Sequence, residues 1–329
     1  LPAWWIVTVA RSAADVPGAS VPWVGGLRGA AVLGLLMLAV LTVRQLRPIA
    51  VMSALLALVL VLQPSVPLPP LLPGAWPPRG WVMVVCDVGQ GDAIVMNAGP
   101  GTAVVVDTGP EPDAVDGCLR RLGVRRIPYL LLTHFHSDHV EGVPGLLHGR
   151  AVAEIGVSPL RDPPAEVDRV ARWAGRIPIT HPAPGEGRVA GAVSWRVLWP
   201  SRLIFEGSPP NNASVVLLAE IGGLRILLTG DVEPPAQAVL HRAEPDLRAD
   251  VLKIPHHGSA NQDAGWLTSV GARVAIASAG IDNDYGHPAP STLRLLEAAG
   301  MRVARTDRDG DVAVVIRDGV LLLATERSG

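Results

Sequence analysis

A run of seven residues, Thr133-His134-Phe135-His136-Ser137-Asp138-His139, constrains this chain more than any other part of it. It follows Tyr129-Leu130-Leu131-Leu132, a short apolar run that reads as a buried strand. The next residues, Val140 to Leu147, read as a loop entering a short helix. Three imidazoles and a carboxylate packed this closely at the end of a strand are the donor set of a metal site. His134 and His136 are two residues apart, so on extended backbone they face the same way and can share one ion. Asp138 and His139 come as the chain turns and can face a second ion about 3.5–4 Å from the first.

The H-x-H-x-D-H spacing resembles the signature of the metallo-β-lactamase fold superfamily. The resemblance implies a four-layer αββα sandwich with a binuclear site at one rim, and it leaves the substrate open, since many chemistries share that fold. Later strand ends offer further ligands. Leu227-Leu228-Thr229-Gly230-Asp231 is an apolar strand closed by an aspartate, matching the superfamily's bridging carboxylate. Asp250 to Ser259 is another strand, ending in His256 and His257. His256 is the expected ligand of the second ion, with His257 left to contact substrate or act as a general acid, a choice that two adjacent imidazoles leave nearly even. Lys253 on that strand either orients a phosphate or is held in an ion pair. His287, in a loop before a helix at Ser291 to Ala299, is a further catalytic or second-site candidate. The superfamily's usual third histidine for the first ion has no counterpart. Pro210-Asn211-Asn212-Ala213-Ser214 stands there instead, and His181 lies in a proline-rich loop. A ligand-poor first site would let manganese compete with zinc.

Apolar residues make up 49% of the 329-residue chain, and the mean hydropathy of +0.32 is high for a wholly soluble enzyme. The excess sits in residues 25–43 and 48–62, read as two transmembrane helices at the short end of the roughly 17–25 residues that span a bilayer. Arg44 and Arg47 between them point to a cytoplasmic turn, which would deliver the rest of the chain to the outer face. Residues 1–24, with Trp4, Trp5 and Trp23, read as an interfacial segment. With no initiator methionine at Leu1, the chain is expected to be the tail of a longer polytopic protein. Residues 64–80 are a proline-rich, semi-rigid linker. Residues 81–329 form the hydrolase domain: strands over 81–86, 92–96 and 102–106, a helix over 113–122, then alternating elements and two closing strands over 311–316 and 320–324. Cys86 and Cys118 are too few for a disulfide scaffold and are expected as small buried residues. A net charge of −2 makes no case for nucleic acid.

Four segments narrow the resemblance: Cys86-Asp87-Val88-Gly89-Gln90-Gly91-Asp92-Ala93, Asn211-Asn212-Ala213-Ser214, Pro255-His256-His257-Gly258-Ser259 and Tyr285-Gly286-His287-Pro288. Together they resemble the C-terminal hydrolase domain of ComEC-type competence proteins. That family imports single-stranded DNA through a membrane channel. The resemblance implies a multi-pass membrane protein whose partners are DNA, lipid and the channel domain of its own longer chain. It also implies an extracytoplasmic nuclease with two divalent ions, zinc or manganese. On it, His134, His136, Asp138, His139, Asp231 and His256 would ligate the metals. Asp138, Asp231, His257, His287 and Lys253 would serve catalysis, and Asp87, Gln90, Asp92, Asn212 and Ser214 would lie against metal or phosphate. Asp107 would hydrogen-bond behind the ligand loop. Arg120, Arg121, Arg125 and Arg126 either track a phosphate backbone or form a solvated helix end. With only two Phe and two Tyr, no aromatic stacking platform is evident. Hydrolysis of a small phosphodiester or other ester, and a silent DNA-binding or bracing module, stay open.

Overall fold

A computed structural model describes residues 76–327. The interfacial segment, the two transmembrane helices and most of the linker lie outside the described residues. Among the described residues no helix is long and apolar enough to cross a membrane.

The chain enters β1 (Trp81–Val85), β2 (Ile94–Gly99), β3 (Thr102–Val106), β4 (Arg126–Ile127), β5 (Leu130–Leu132), β6 (Ala151–Val152), β7 (Ile155–Val157) and β8 (Ile179–Thr180) in turn. A second sheet follows with β9 (Gly187–Ala190), β10 (Val193–Trp199), β11 (Val216–Ile221), β12 (Leu224–Leu228), β13 (Val251–Lys253), β14 (Val274–Ala277) and β15 (Arg302–Arg305). The last two strands, β16 (Val312–Arg317) and β17 (Val320–Thr325), return to the first sheet, whose main order is β17-β16-β1-β2-β3-β5-β7-β8.

Period-two alternation within each strand explains the layers. Met83, Val85, Ile94, Met96, Val104 and Val106 face inward and meet Val193, Trp195, Val197, Leu217 and Ile226 of the other sheet in one apolar cluster. The alternate residues, Val84, Val95 and Val105, face outward beneath helices α1 (Pro112–Arg121), α2 (Ser137–Val140), α3 (Val143–Leu147) and α4 (Pro164–Ala174). After the short α5 (Pro209–Asn212), helices α6 (Pro234–Ala243), α7 (Ala264–Ser269) and α8 (Pro290–Ala298) cover the outer face of the second sheet. Both faces of each sheet are buried, so the strands read as nearly unbroken apolar runs. The helices bury a single stripe, such as Val167, Val170 and Ala174 of α4 at helical spacing. This is the expected four-layer sandwich.

The two cysteines depart from expectation. Cys86 and Cys118 are both fully buried and joined in a disulfide, with Cα atoms 6.1 Å apart. The packing of α1 over the end of β1 brings them within bridging range, a proximity that cysteine count alone does not reveal. The second strand also begins later than expected, at Ile94. Asp92 stays in the preceding loop, where an ion pair with Lys253 holds it.

The site position follows from strand direction. β3 and β5 are parallel neighbours in one sheet, and β12, β13 and β14 are parallel neighbours in the other. Their C-terminal ends release Asp107, His134–His139, Asp231, His256–His257 and Ser278 at a common rim, where open parallel sheets bind their ligands.

Candidate metal centre

Four ligand atoms converge at this rim. His257 Nε2 lies 3.2 Å from Asp138 Oδ2 and 3.3 Å from Asp231 Oδ2. His139 Nε2 lies 3.2 Å from the same Asp231 oxygen and 3.8 Å from Asp138 Oδ2. Beside them, His134 Nε2 and His136 Nδ1 are 3.1 Å apart. Two donors bound tetrahedrally to one zinc at about 2.05 Å are roughly 3.3 Å from each other, so these spacings fit ligands that share an ion. Asp231 Oδ1 is buried without a hydrogen-bond donor, as a carboxylate oxygen meant for a cation would be. The donor set therefore fits divalent metal: Asp138, His139, Asp231 and His257 reach one common point, and His134 and His136 stand beside it.

Partners behind the ligands set which ring nitrogen faces the cluster. Asp107 accepts from His139 Nδ1 at 2.8 Å, from the Thr133 amide at 2.7 Å and from the Thr133 hydroxyl at 2.8 Å. His257 Nδ1 donates to the Ser278 carbonyl at 2.9 Å and faces Asp92 at 3.2 Å. In both rings the proton is held at Nδ1 by acceptors, which leaves Nε2 for a metal. Ser214 Oγ accepts from the Asp231 amide at 3.1 Å and meets His134 Nδ1 at 3.2 Å.

The electrostatics divide the centre in two. Burial pushes His134 and His136 below the usual imidazole range, so both are neutral and ready to ligate. Burial acts the same way on His139 and His257. There the carboxylates of Asp231, Asp138 and Asp107, and of Asp231 and Asp92, respectively, outweigh it and hold both rings well above that range. Asp231 and Asp138 stay ionised despite burial because the two imidazoliums face them. Without metal this cluster draws in protons, the behaviour of an anionic cavity shaped for cations.

Above the cluster lies an open cleft of about 580 Å³, lined by Gln90, His136, Asp138, Asn211, Asp231, His256, His257, Tyr285 and His287 among others. Of the two adjacent histidines it is His257, not His256, that joins the ligand cluster. Both take left-handed backbone, at φ of 53° and 48°. The turn folds the ring of His257 back into the rim, 1% exposed, and leaves His256 on the cleft wall with Nδ1 3.8 Å from Glu233. Asp107 shares this conformation, so three of the four described non-glycine residues with positive φ belong to the centre. Gly91, at φ 145°, lets the opening loop pass against the Asp138 carbonyl, where any side chain would collide.

Other expected residues lie elsewhere. Lys253 is fully buried in its 2.8 Å ion pair with Asp92, behind His257 and out of the cleft. Asn212 spends its amide on the Glu206 carbonyl and the Glu233 amide and cannot grip a phosphate. Ser214 is sealed behind His134. Asp87 pairs with Arg327 at 2.7 Å. Gln90 and His287 do line the cleft, and burial together with the charge of His256 and His257 pushes His287 down to about 4. His181 sits away from it, against the Ser158 carbonyl. Arg125 and Arg126 stand at the opposite rim, where Arg126 bonds Thr102, the first residue of β3, whereas Asp107 follows its last; Arg121 is instead held by Asp311 at 2.6 Å. Asn211 lines the cleft and was not among the expected site residues; Glu233, behind it, accepts from its side-chain amide at 3.3 Å. No periodicity separates Asn211 from Asn212 in a four-residue helix.

The Metallo-beta-lactamase superfamily model matches residues 86–275. Over 194 residues the chain is 32% identical to ComE operon protein 3 of Bacillus subtilis (strain 168), a match covering 58% of this chain and 25% of that protein. It is 29% identical over 243 residues to Competence protein ComA of Neisseria gonorrhoeae, covering 72% of this chain and 33% of that protein. The chain thus spans a quarter to a third of the length of these relatives. Among solved structures, a CmlA beta-hydroxylase mutant is alike in fold, at 13% identity and a TM-score of 0.51, covering 73% of this chain and 54% of that one. With a match running from Cys86 to Ala275 and the ligand rim inside it, the chain belongs to the metallo-beta-lactamase superfamily.

Proposed function

We propose that this chain is a membrane-tethered, two-metal hydrolase that cleaves DNA phosphodiesters during DNA uptake. The observation that carries the reading is the convergence of Asp138, His139, Asp231 and His257 on one point beside the His134–His136 pair, under an open cleft. The names of the competence relatives support DNA as the substrate. Divalent cations held there supply charge for a phosphate and an activated water near neutral pH.

The protein's own groups divide the remaining work. Asp107, Ser214 and Ser278 hold the ligand rings and the Asp231 backbone in place. Both nitrogens of His257 are engaged, which removes it as the acid for the leaving oxygen. That task falls to His256 or His287, whose Nδ1 atoms are buried without partners beside the cleft. His287 is neutral at neutral pH, so it serves as a hydrogen-bond donor, which leaves His256 on the cleft wall as the candidate acid.

The buried disulfide supports an extracytoplasmic position, because such bonds persist where the medium is oxidising. The apolar runs over residues 25–43 and 48–62 support tethering.

Cleavage of single-stranded DNA and of a small phosphodiester, each with added manganese or zinc, tests the reading. DNA should be cut and His136→Ala should abolish cutting; undiminished activity in that variant would refute the assignment. One observation favours the small substrate instead. None of the cleft-lining residues is a lysine or arginine. A nuclease with this lining should have a shallow salt dependence, reflecting few protein–phosphate contacts.

A further inference from the structure

The cleft offers a long polyanion no cationic track, so a strand lying in it needs another hold. An aromatic column supplies one. The His257 and His287 rings are 6.4 Å apart at their centroids and 27° from parallel, and His287 and Tyr285 are 5.8 Å apart at 26°. The stack therefore starts at a metal ligand and ends in solvent. Tyr285 is 73% exposed although its other face rests on His287.

This exposure is built into the loop. Asn283 donates to the Gly280 and His287 carbonyls, both at 2.7 Å, and accepts from the His287 amide at 2.9 Å. Those bonds close the 280–287 segment on itself and hold the ring at the mouth of the cleft. A flat ring with one free face, fixed beside a phosphate-binding site, is how proteins hold an unpaired base without reading its identity.

We infer that Tyr285 stacks on the nucleobase next to the bond being cut, making it the residue that selects a strand with an unpaired base at the metal centre. This rests on the nuclease reading above. With only two Phe and two Tyr the sequence shows no row of aromatics, but one ring backed by histidines is enough.

The test uses the full chain and three variants, Tyr285→Ala, Tyr285→Phe and Tyr285→Trp. Cleavage is measured on a single strand and on the same strand with abasic sites. Binding is followed with a cleavage-resistant phosphorothioate strand carrying 2-aminopurine, whose fluorescence falls on stacking. Tyr285→Ala should raise KM on the normal strand on the order of 10-fold with a much smaller change in kcat, in line with the loss of one stacked base. Phe and Trp should restore KM, the quench should vanish in Tyr285→Ala alone, and the KM gap should close on the abasic strand. A wild-type KM in Tyr285→Ala, or an equal defect on both strands, would overturn the inference and leave the ring as a buttress for His287. A Tyr285-dependent quench without cleavage would keep the stacking role and remove the nuclease reading; neither cleavage nor quench would remove both.

Discussion

The two halves of the metal centre are built from similar residues and behave as opposites. The His134–His136 half has neutral imidazoles, a serine behind His134, and carboxylate charge too weak to outweigh burial. The Asp138–His139–Asp231–His257 half is crowded with carboxylates and takes up protons when no cation is present. On the proposed two-ion reading, the difference makes buried negative charge, more than the number of histidines, the determinant of metal affinity. The anionic half should bind its ion tightly and in competition with protons. The imidazole half should bind more weakly and depend on the shared Asp231.

The sharpest way to break this contrast is to remove what the halves share. Asp231→Ala should strip metal from both and lower hydrolysis on the order of 10³-fold or more, since the cations contribute several kcal/mol to the transition state. Retention of either ion at wild-type affinity would show that the carboxylate is not shared. A control outside the centre comes next. Cys86→Ser with Cys118→Ser should lower unfolding stability by about 4 kcal/mol, as expected for a closed loop of this length, while leaving the ratio of the two metal affinities unchanged. Denaturant titration and metal titration of the same preparation would separate the two effects. Asp107→Asn should weaken the His139 half most, by about 10–100-fold in metal affinity, because Asp107 bonds that ring directly and reaches His134 only through the Thr133 hydroxyl.

The smallest effect is in pH. His139 and His257 have raised values in the folded, metal-free chain, so their contribution is full below the unfolded value of about 6.5 and fades as pH rises through the folded one. His134 and His136 are depressed, so they cost stability as pH falls below about 6.5. Melting of the chelated chain between about pH 5 and 9 should therefore weaken on both sides. His257→Ala should flatten the alkaline limb and His136→Ala the acid limb; a common response to both variants would erase the distinction.

Much of this was legible in the sequence, for local reasons. The H-x-H-x-D-H run, the strand before it and the aspartate closing β12 are short-range patterns, and the sheets follow from alternation. What could not be read depends on packing across the chain. The disulfide needs α1 to lie over β1. The choice of His257 needs a left-handed turn that puts adjacent residues on different sides of the rim. Lys253 could orient a phosphate or sit in an ion pair; the ion pair holds, but nothing nearby in sequence announces its partner Asp92. The basic residues around Arg125 could be a backbone track or a solvated helix end, and only the strand direction places Arg125 and Arg126 opposite the cleft.

The most direct measurement is the metal content of the purified chain beside its two neighbouring-histidine variants, by elemental analysis after loading and dialysis. The account predicts that His256→Ala keeps the wild-type number of ions while losing turnover, and that His257→Ala loses the ion of the anionic half. Metal lost from His256→Ala and kept in His257→Ala would contradict it.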